Sequence, residues 1–298
     1  MFLRQLSYLI ALDKYRHFSR AAEHCGVSQP ALSAGIRQLE SELGITIINR
    51  NRRFNGLTEE GQRVLAWARQ TVSDLSNLRQ EAAFAQDIAG GSIAIGIMPT
   101  TMQVIPLLVE SLKAAIPALH VSITVCSSTE ILHQLREHQI QLGLMYLDQI
   151  SQESPLDAHA LYQEQHVLAA GTGMVLPHAH HCTWENVGQL PLGLLNRQMR
   201  SRQLVDTAFR EASIKPHIML ETNALELLHT EVLNSRLATI LPVAALPERS
   251  GLLQTRLLEN IPSPDVGIVR LQQTITPTLS MRAWEILQKL DFHHSYSI

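Results

Sequence analysis

The run from Phe18 to Arg37 carries side chains that can read a nucleic acid. Ala21 and Ala22 are small enough to let two helices approach, Gly26 supplies a turn, and Val27, Leu32, Ile36 and Leu39 fall where a shared core needs them. This is helix-turn-helix spacing. The outward positions of the second helix are then Ser28, Gln29, Pro30, Ser33, Ala34 and Arg37. Gln pairs with adenine edges, Ala and Pro pack on thymine methyls, and Arg37 reaches guanine or phosphate. Arg50, Arg52 and Arg53 follow within four positions and with no acid beside them, a basic wing suited to phosphates or a narrow minor groove. A three-helix unit with an Ala-Ala and Gly pattern can be purely structural. The Ser28-Gln29-Pro30 opening, the arginine wing and the long helix that follows favour duplex DNA as the partner. Gly35, in mid-helix, costs about 1 kcal/mol against alanine. It either permits close approach to the DNA backbone or is a tolerated weakness.

Other chemistry is sparser. His178, His180, His181 and Cys182 place four soft metal ligands in five positions, the residue types of a zinc or nickel sensor, but a His-rich loop is also commonly just solvated. The three cysteines, Cys25, Cys126 and Cys182, are widely spaced and odd in number, which fits a reducing compartment rather than a disulfide framework. A metal- or redox-sensing role using the His178 to Cys182 loop stays open as the alternative. No Gly-rich phosphate loop with Lys, no Gly-x-Ser-x-Gly elbow and no His-Glu-x-x-His helix occurs, so an enzyme is not expected.

The elements that must hold these residues follow from periodicity. The chain has 298 residues, 45% hydrophobic and 17% charged, which excludes disorder and suggests two domains or three. No uninterrupted apolar run is long enough for a membrane span, and the N-terminal residues do not read as a leader, so a cytoplasmic protein is expected. The net charge is −3, yet residues 1–63 hold nine Lys or Arg against six Asp or Glu. Three short helices are expected within residues 2–43, with Ser28 as N-cap and Pro30 in the first turn. A hairpin spans residues 45–57, and Thr58 caps a long helix whose first turn carries Glu59 and Glu60. Val64, Ala68, Thr71, Leu75, Leu78, Ala82 and Ala85 form a heptad seam, read as a homodimeric coiled coil in preference to a helix packed wholly on its own core. After Gly90 and Gly91, strands and helices alternate, which predicts parallel sheets covered by helices on both faces.

Residues 1 to about 88 resemble the N-terminal winged helix-turn-helix and linker helix of the LysR-type transcriptional regulators. The likeness is dense from Phe18 to Gly61 and rests on Ala21-Ala22-Glu23, Val27 through Ser33, Ile36, Leu39-Glu40, Leu43-Gly44, Arg50 and Leu57 through Gly61. Ile47-Ile48-Asn49 and Gly35 depart from the usual pattern. The resemblance implies an α/β protein: a winged helix-turn-helix (1–58), a linker and dimerisation helix (59–89) and a periplasmic-binding-protein-like effector domain (90–298). The last would comprise two α/β subdomains, one of about 90–160 with 267–298 and the other of about 161–266. It further implies a homotetramer on double-stranded DNA, a small-molecule effector, and no cofactor, metal or membrane. DNA contacts carry over to Ser28, Gln29, Pro30, Ser33, Arg37, Arg50, Arg52 and Arg53. Ligands in such folds sit beyond the carboxyl ends of strands, against helix N-termini. That selects Pro99, Thr100 and Thr101, then Ser127, Ser128 and Thr129, then Tyr146, and across the cleft Asn196, Arg197, Thr222 and Asn223. Each hydroxyl can equally be an N-cap. The hydroxyl-rich helix starts favour a small anion such as a carboxylate.

Overall fold

A computed structural model describes residues 3–50, 54–84, 90–151, 153–176, 181–247, 250–290 and 292. The chain divides into two compact units, one running through Ile88 and one holding nearly all of the remainder.

The first unit is a winged helix-turn-helix followed by a long helix. Helices α1 (Leu3–Tyr15), α2 (Phe18–His24) and α3 (Gln29–Leu43) enclose Leu6, Leu9, Leu12, Ala21, Ala22, Leu32, Ile36 and Leu39. Gly26 takes φ +65°, a left-handed turn that costs a residue without Cβ nothing. Ser28 accepts the Ala31 amide at 3.3 Å and so caps α3, with Pro30 in its first turn. The two-stranded wing, β1 (Ile48–Arg50) and β2 (Phe54–Leu57), is antiparallel. Buried Glu40 anchors it, its carboxylate accepting the amides of Ile47 at 2.9 Å and Ile48 at 3.2 Å.

Helix α4 (Glu59–Phe84) starts from Thr58, whose hydroxyl accepts the Gly61 amide at 2.9 Å. Gly61 is obligatory on steric grounds, because a Cβ there would stand 2.2 Å from the Ile47 carbonyl oxygen. Leu65 and Ala68 pack into the unit's core, and Arg69 pairs with Asp13 of α1 at 2.6 Å. Beyond them the helix loses its cover: Leu75 is half-buried and Leu78 is 65% exposed, as is Trp67 at 70%. Ala85, the last seam position, lies outside the described residues.

The second unit contains two sheets. In chain order it runs β3 (Gly91–Ile97), α5 (Ile105–Ala115), β4 (Leu119–Val125), α6 (Ser128–Arg136), β5 (Leu142–Tyr146) and β6 (Leu156–Gln163). Then come β7 (His166–Gly171), β8 (His181–Cys182), α7 (Trp184–Gly188), β9 (Leu192–Leu195), α8 (Arg200–Glu211), β10 (Ile218–Thr222) and α9 (Leu225–Leu233). The chain closes with β11 (Thr239–Pro242), β12 (Leu253–Leu258), β13 (Asp265–Leu271) and α10 (Thr278–Leu287). The first sheet has the order β4-β3-β5-β13-β6; β4, β3 and β5 are parallel, whereas β13 is antiparallel to both neighbours. The second has the order β11-β7-β12-β8, with β7 antiparallel to β11 and β12. A parallel pair, β9 with β10, joins it through a bridge between Leu192 and Ala238.

The expectation of parallel sheets is therefore corrected to mixed ones. The antiparallel pairings arise where the chain passes between sheets, from β6 to β7 through Glu164 and Gln165 and from β12 to β13 through residues 259–264. The Glu164 amide donates to the Pro264 carbonyl at 3.0 Å and ties the two crossings together.

Candidate functional site

On the first unit, Gln29, Ser33 and Arg37 are spaced four residues apart, so they share one stripe of α3, flanking the face that buries Leu32, Ile36 and Leu39. Ser28, Gln29, Pro30 and Arg37 are exposed and Ser33 is half-buried. Arg37 has no ion pair among the described residues. Ser28 spends its hydroxyl on the cap, so its part on this face is to fix where the helix begins. Arg50 closes strand β1; Arg52 and Arg53 lie outside the described residues. Gly35 does not face outward. A Cβ there would meet the Tyr8 ring of α1 at 2.8 Å, so the glycine serves helix packing and the reading that it approaches DNA is corrected.

On the second unit, the carboxyl ends of β3, β4 and β5 and those of β9 and β10 converge on a cavity of about 650 Å³. Its lining takes in Pro99, Thr100, Ser127, Ser128, Thr129, Tyr146, Asn196 and Asn223. Three expected residues stay out of it. Thr101 is fully buried and donates to the Met98 carbonyl at 2.8 Å. Thr222 turns its oxygen to the Ala224 amide at 3.0 Å, and Arg197 is exposed and pairs with Glu221 at 3.6 Å.

Ser127 and Glu130 form a capping box at the start of α6. The Glu130 carboxylate accepts the Ser127 amide at 2.7 Å and its hydroxyl at 2.8 Å, and these bonds hold that carboxyl below its usual range. The positive end of α6 thus already has an anion of its own. Across the cavity, Arg200 opens α8 and its Nε and Nη2 donate to Asp148 at 3.1 and 2.5 Å, a bond between the two sheets' loops. Behind it Arg202, almost fully buried, is neutralised by Asp206 and Glu221, each at 2.7 Å, and donates to the Leu195 carbonyl. Glu130, Arg200, Ser201, Met98, Val125 and Met199 all line the cavity without having been singled out in the sequence. The Ser127-x-x-Glu130 spacing was the one legible signal for any of them.

The cavity floor is built differently from its walls. Tyr146, 1% exposed, and Ser201, 2% exposed, face it. Behind Tyr146 stands the Glu164 carboxyl, and burial pushes Glu164 up to about 8. Behind Ser201 stands His166, whose Nε2 lies 2.8 Å from the serine Oγ and which burial drives down to about 3. The Tyr146 hydroxyl, both Glu164 oxygens and His166 Nδ1 are buried without a well-formed hydrogen bond.

Cys126 lines the cavity, but burial and then Glu130 push its thiol up to about 11. Burial raises Cys25 and Cys182 as well. Among the described residues no three His, Cys, Asp or Glu side chains gather as a metal site; His178 and His180 lie outside them.

Comparison with known proteins gives one consistent result. The model of the bacterial regulatory helix-turn-helix proteins of the lysR family matches residues 3–62, and that of the LysR substrate binding domain matches 86–290. The hydrogen peroxide-inducible genes activator of Haemophilus influenzae is 29% identical over 282 residues, covering 90% of each chain. The DNA-binding transcriptional dual regulator OxyR of Escherichia coli is 27% identical, covering 90% of this chain and 89% of its own. Among solved structures, a full-length OxyR variant from Pseudomonas aeruginosa superposes with a TM-score of 0.71 at 24% identity, over 97% of this chain and 93% of that one. CbnR, a LysR family transcriptional regulator, does so at 0.69 and 19%, over the whole of both chains. With both family models matched in order along nearly its full length, the chain belongs to the LysR family of DNA-binding transcriptional regulators.

Proposed function

We propose that this regulator reads DNA with the Gln29, Ser33 and Arg37 stripe and the arginine wing, and that its effector binds in the cavity between the two sheets. The observation that carries the reading is the convergence of five strand ends, from both sheets, on one polar-lined cavity. A molecule held there touches both sheets at once, so its differential affinity for two arrangements of them becomes a change in the regulator's state. The exposed Leu78 and Trp67 on α4 supply apolar surface for a second copy, in keeping with a dimer that pairs two heads and assembles further into a tetramer.

The protein acts in the cytoplasm, where its DNA is, and among the described residues no helix is long and apolar enough to cross a membrane. It works by binding, with no cofactor and no catalysis of its own. Among the described residues, the charged side chains lining the cavity are Glu130 and Arg200; both are already partnered, so the walls offer an anion no uncommitted positive charge. Several relatives are named as hydrogen peroxide-inducible genes activators, and a redox-sensing role is compatible with that likeness, although burial works against it here. The thiolate is the reactive form, and all three thiols are shifted away from it. Fluorescence anisotropy of the full chain on its own upstream promoter against scrambled duplex tests the DNA reading. Equal affinity for both sequences at every salt concentration would defeat it. A thermal-shift screen of the full chain against small metabolites tests the cavity, since a ligand that binds the fold stabilises it by mass action.

A further inference from the structure

The walls of the cleft hold paired charges, and the floor holds none. The two side chains that the floor presents to the cavity, Tyr146 from the first sheet and Ser201 from α8, are hydroxyls. Each is backed by a titratable group at a strand junction, Glu164 in the crossing between sheets and His166 at the start of β7. Nearby guanidinium charge is spent elsewhere: Arg200 on Asp148, Arg202 on Asp206 and Glu221. Four buried polar atoms, Tyr146 Oη, Glu164 Oε1 and Oε2 and His166 Nδ1, lack good hydrogen bonds. Of these, Tyr146 Oη borders the cavity, where a polar guest would complete it, and the other three lie behind the lining. A bare buried Nδ1 costs less than an unpaired N–H, so the proton belongs on His166 Nε2, donated to Ser201. The Ser201 hydroxyl then keeps its own proton to donate, and it stands with the Tyr146 hydroxyl, its neighbour beside Glu164, on the cavity floor.

We propose that this floor is a charge-excluding specificity subsite, in which Tyr146 and Ser201 take an uncharged hydrogen-bonding group of the effector, a carboxamide or an alcohol, in preference to a carboxylate. Glu164 and His166 are positioning residues. The floor has already made this selection on its own side chains: burial keeps the acid protonated and the base deprotonated, so neither sign of charge survives there. A ligand carboxylate would meet the same desolvation cost. The inference rests on the reading of the cleft as the effector site.

Two measurements on the full chain at pH 7 decide it. Infrared difference spectroscopy between wild type and Glu164→Gln should show an un-ionised carboxylic acid band lost in the variant; an ionised carboxylate there overturns the proposal. Thermal shifts with matched probes, acetamide against acetate, propionamide against propionate and benzamide against benzoate, should show the amide of each pair as the tighter ligand by at least about tenfold. Tyr146→Phe and Ser201→Ala should each weaken the amide by about fivefold, the worth of one neutral hydrogen bond, and leave the carboxylate unmoved. Glu164→Gln, which keeps an uncharged donor and acceptor, should retain the amide preference; its loss would overturn the positioning role. If carboxylates prove the tighter ligands, this inference fails and the effector reading of the cleft stands. Should neither series bind, this inference fails, and the metabolite screen alone decides the effector reading.

Discussion

Replacing Glu164 by Gln should make the protein more stable, and by an amount that grows with pH. In the unfolded chain Glu164 ionises near 4.5; in the fold, burial holds it protonated up to about 8. Between those values the native state carries a proton that the unfolded state has lost, so stability falls as pH rises through the interval. At 1.36 kcal/mol per pH unit, the carboxyl costs roughly 3 kcal/mol at pH 7 and about 5 above pH 8. These are ceilings, because water drawn toward an ionised carboxylate offsets part of the penalty. Gln has the same shape and no proton to lose. His166 works in the opposite sense at the acid end: its folded value near 3 lies below the unfolded 6.5, so stability rises with pH between the two. Where the windows overlap, from 4.5 to 6.5, the slopes cancel, and wild-type stability should be flat there and decline on either side. Urea titrations of wild type and Glu164→Gln from about pH 5 to about 8.5 test this, the variant gaining at least about 2 kcal/mol over wild type across that range. Parallel curves would show that Glu164 is ionised and solvated in the fold, and the charge-free floor would go with it.

Arg52→Ala with Arg53→Ala should weaken binding to all duplexes and reduce the slope of log affinity against log salt by up to about 2, one for each phosphate contact removed; an unchanged slope would dismiss their phosphate role. Gln29→Ala or Ser33→Ala should instead redistribute affinity among operator variants, by about 1 to 3 kcal/mol at the base each one reads, as anisotropy competition would show; uniform weakening would mean that they read no base. Gly35→Ala should destabilise wild type through the Tyr8 ring 2.8 Å away, yet in a Tyr8→Leu background it should stabilise by about 1 kcal/mol, the helix-propensity gain. Equal effects in the two backgrounds would show that Tyr8 is not the obstacle.

The head was legible because its signals are local. Ser28 before Pro30, Gly26 in the turn and Thr58 before Glu59 and Glu60 each specify a backbone conformation within a few residues. The mixed sheets were not legible. Strands β6 and β12 went unread because Leu156-Asp-Ala-His and Leu253-Gln-Thr-Arg show little of the β-branched alternation that marks a strand; their pairing with β13 and β7 decides them. The cleft residues found in advance lie at helix starts, where hydroxyls announce a cap, or at strand ends, as Tyr146 and Asn196 do. Arg200 and Ser201 escaped because α8 has no capping side chain, Met199 preceding it, and because the partners Asp148 and His166 lie 52 and 35 positions away. Gly35 was visible as an oddity, but only the position of Tyr8 shows which way it points.

Magnitudes also constrain what can occupy the cleft. Moving a two-state equilibrium from 1:99 to 99:1 requires about 5.5 kcal/mol of differential binding. Two neutral hydrogen bonds to Tyr146 and Ser201, at about 1 kcal/mol each, do not reach it. Charge does not supply the difference, since Arg200 and Glu130 are both engaged and an anion would first have to displace Asp148. The remainder must come from apolar contact, and the cavity provides it: Met98, Pro99 and Val125 line one side and Met199 the other. At about 25 cal/mol per Å², burying roughly 150 Å² of ligand hydrocarbon contributes nearly 4 kcal/mol. On the proposed reading of the cleft, an effector that fits this balance would have an apolar body and one uncharged polar end, the polar end setting its orientation and the hydrocarbon supplying most of the work of the switch.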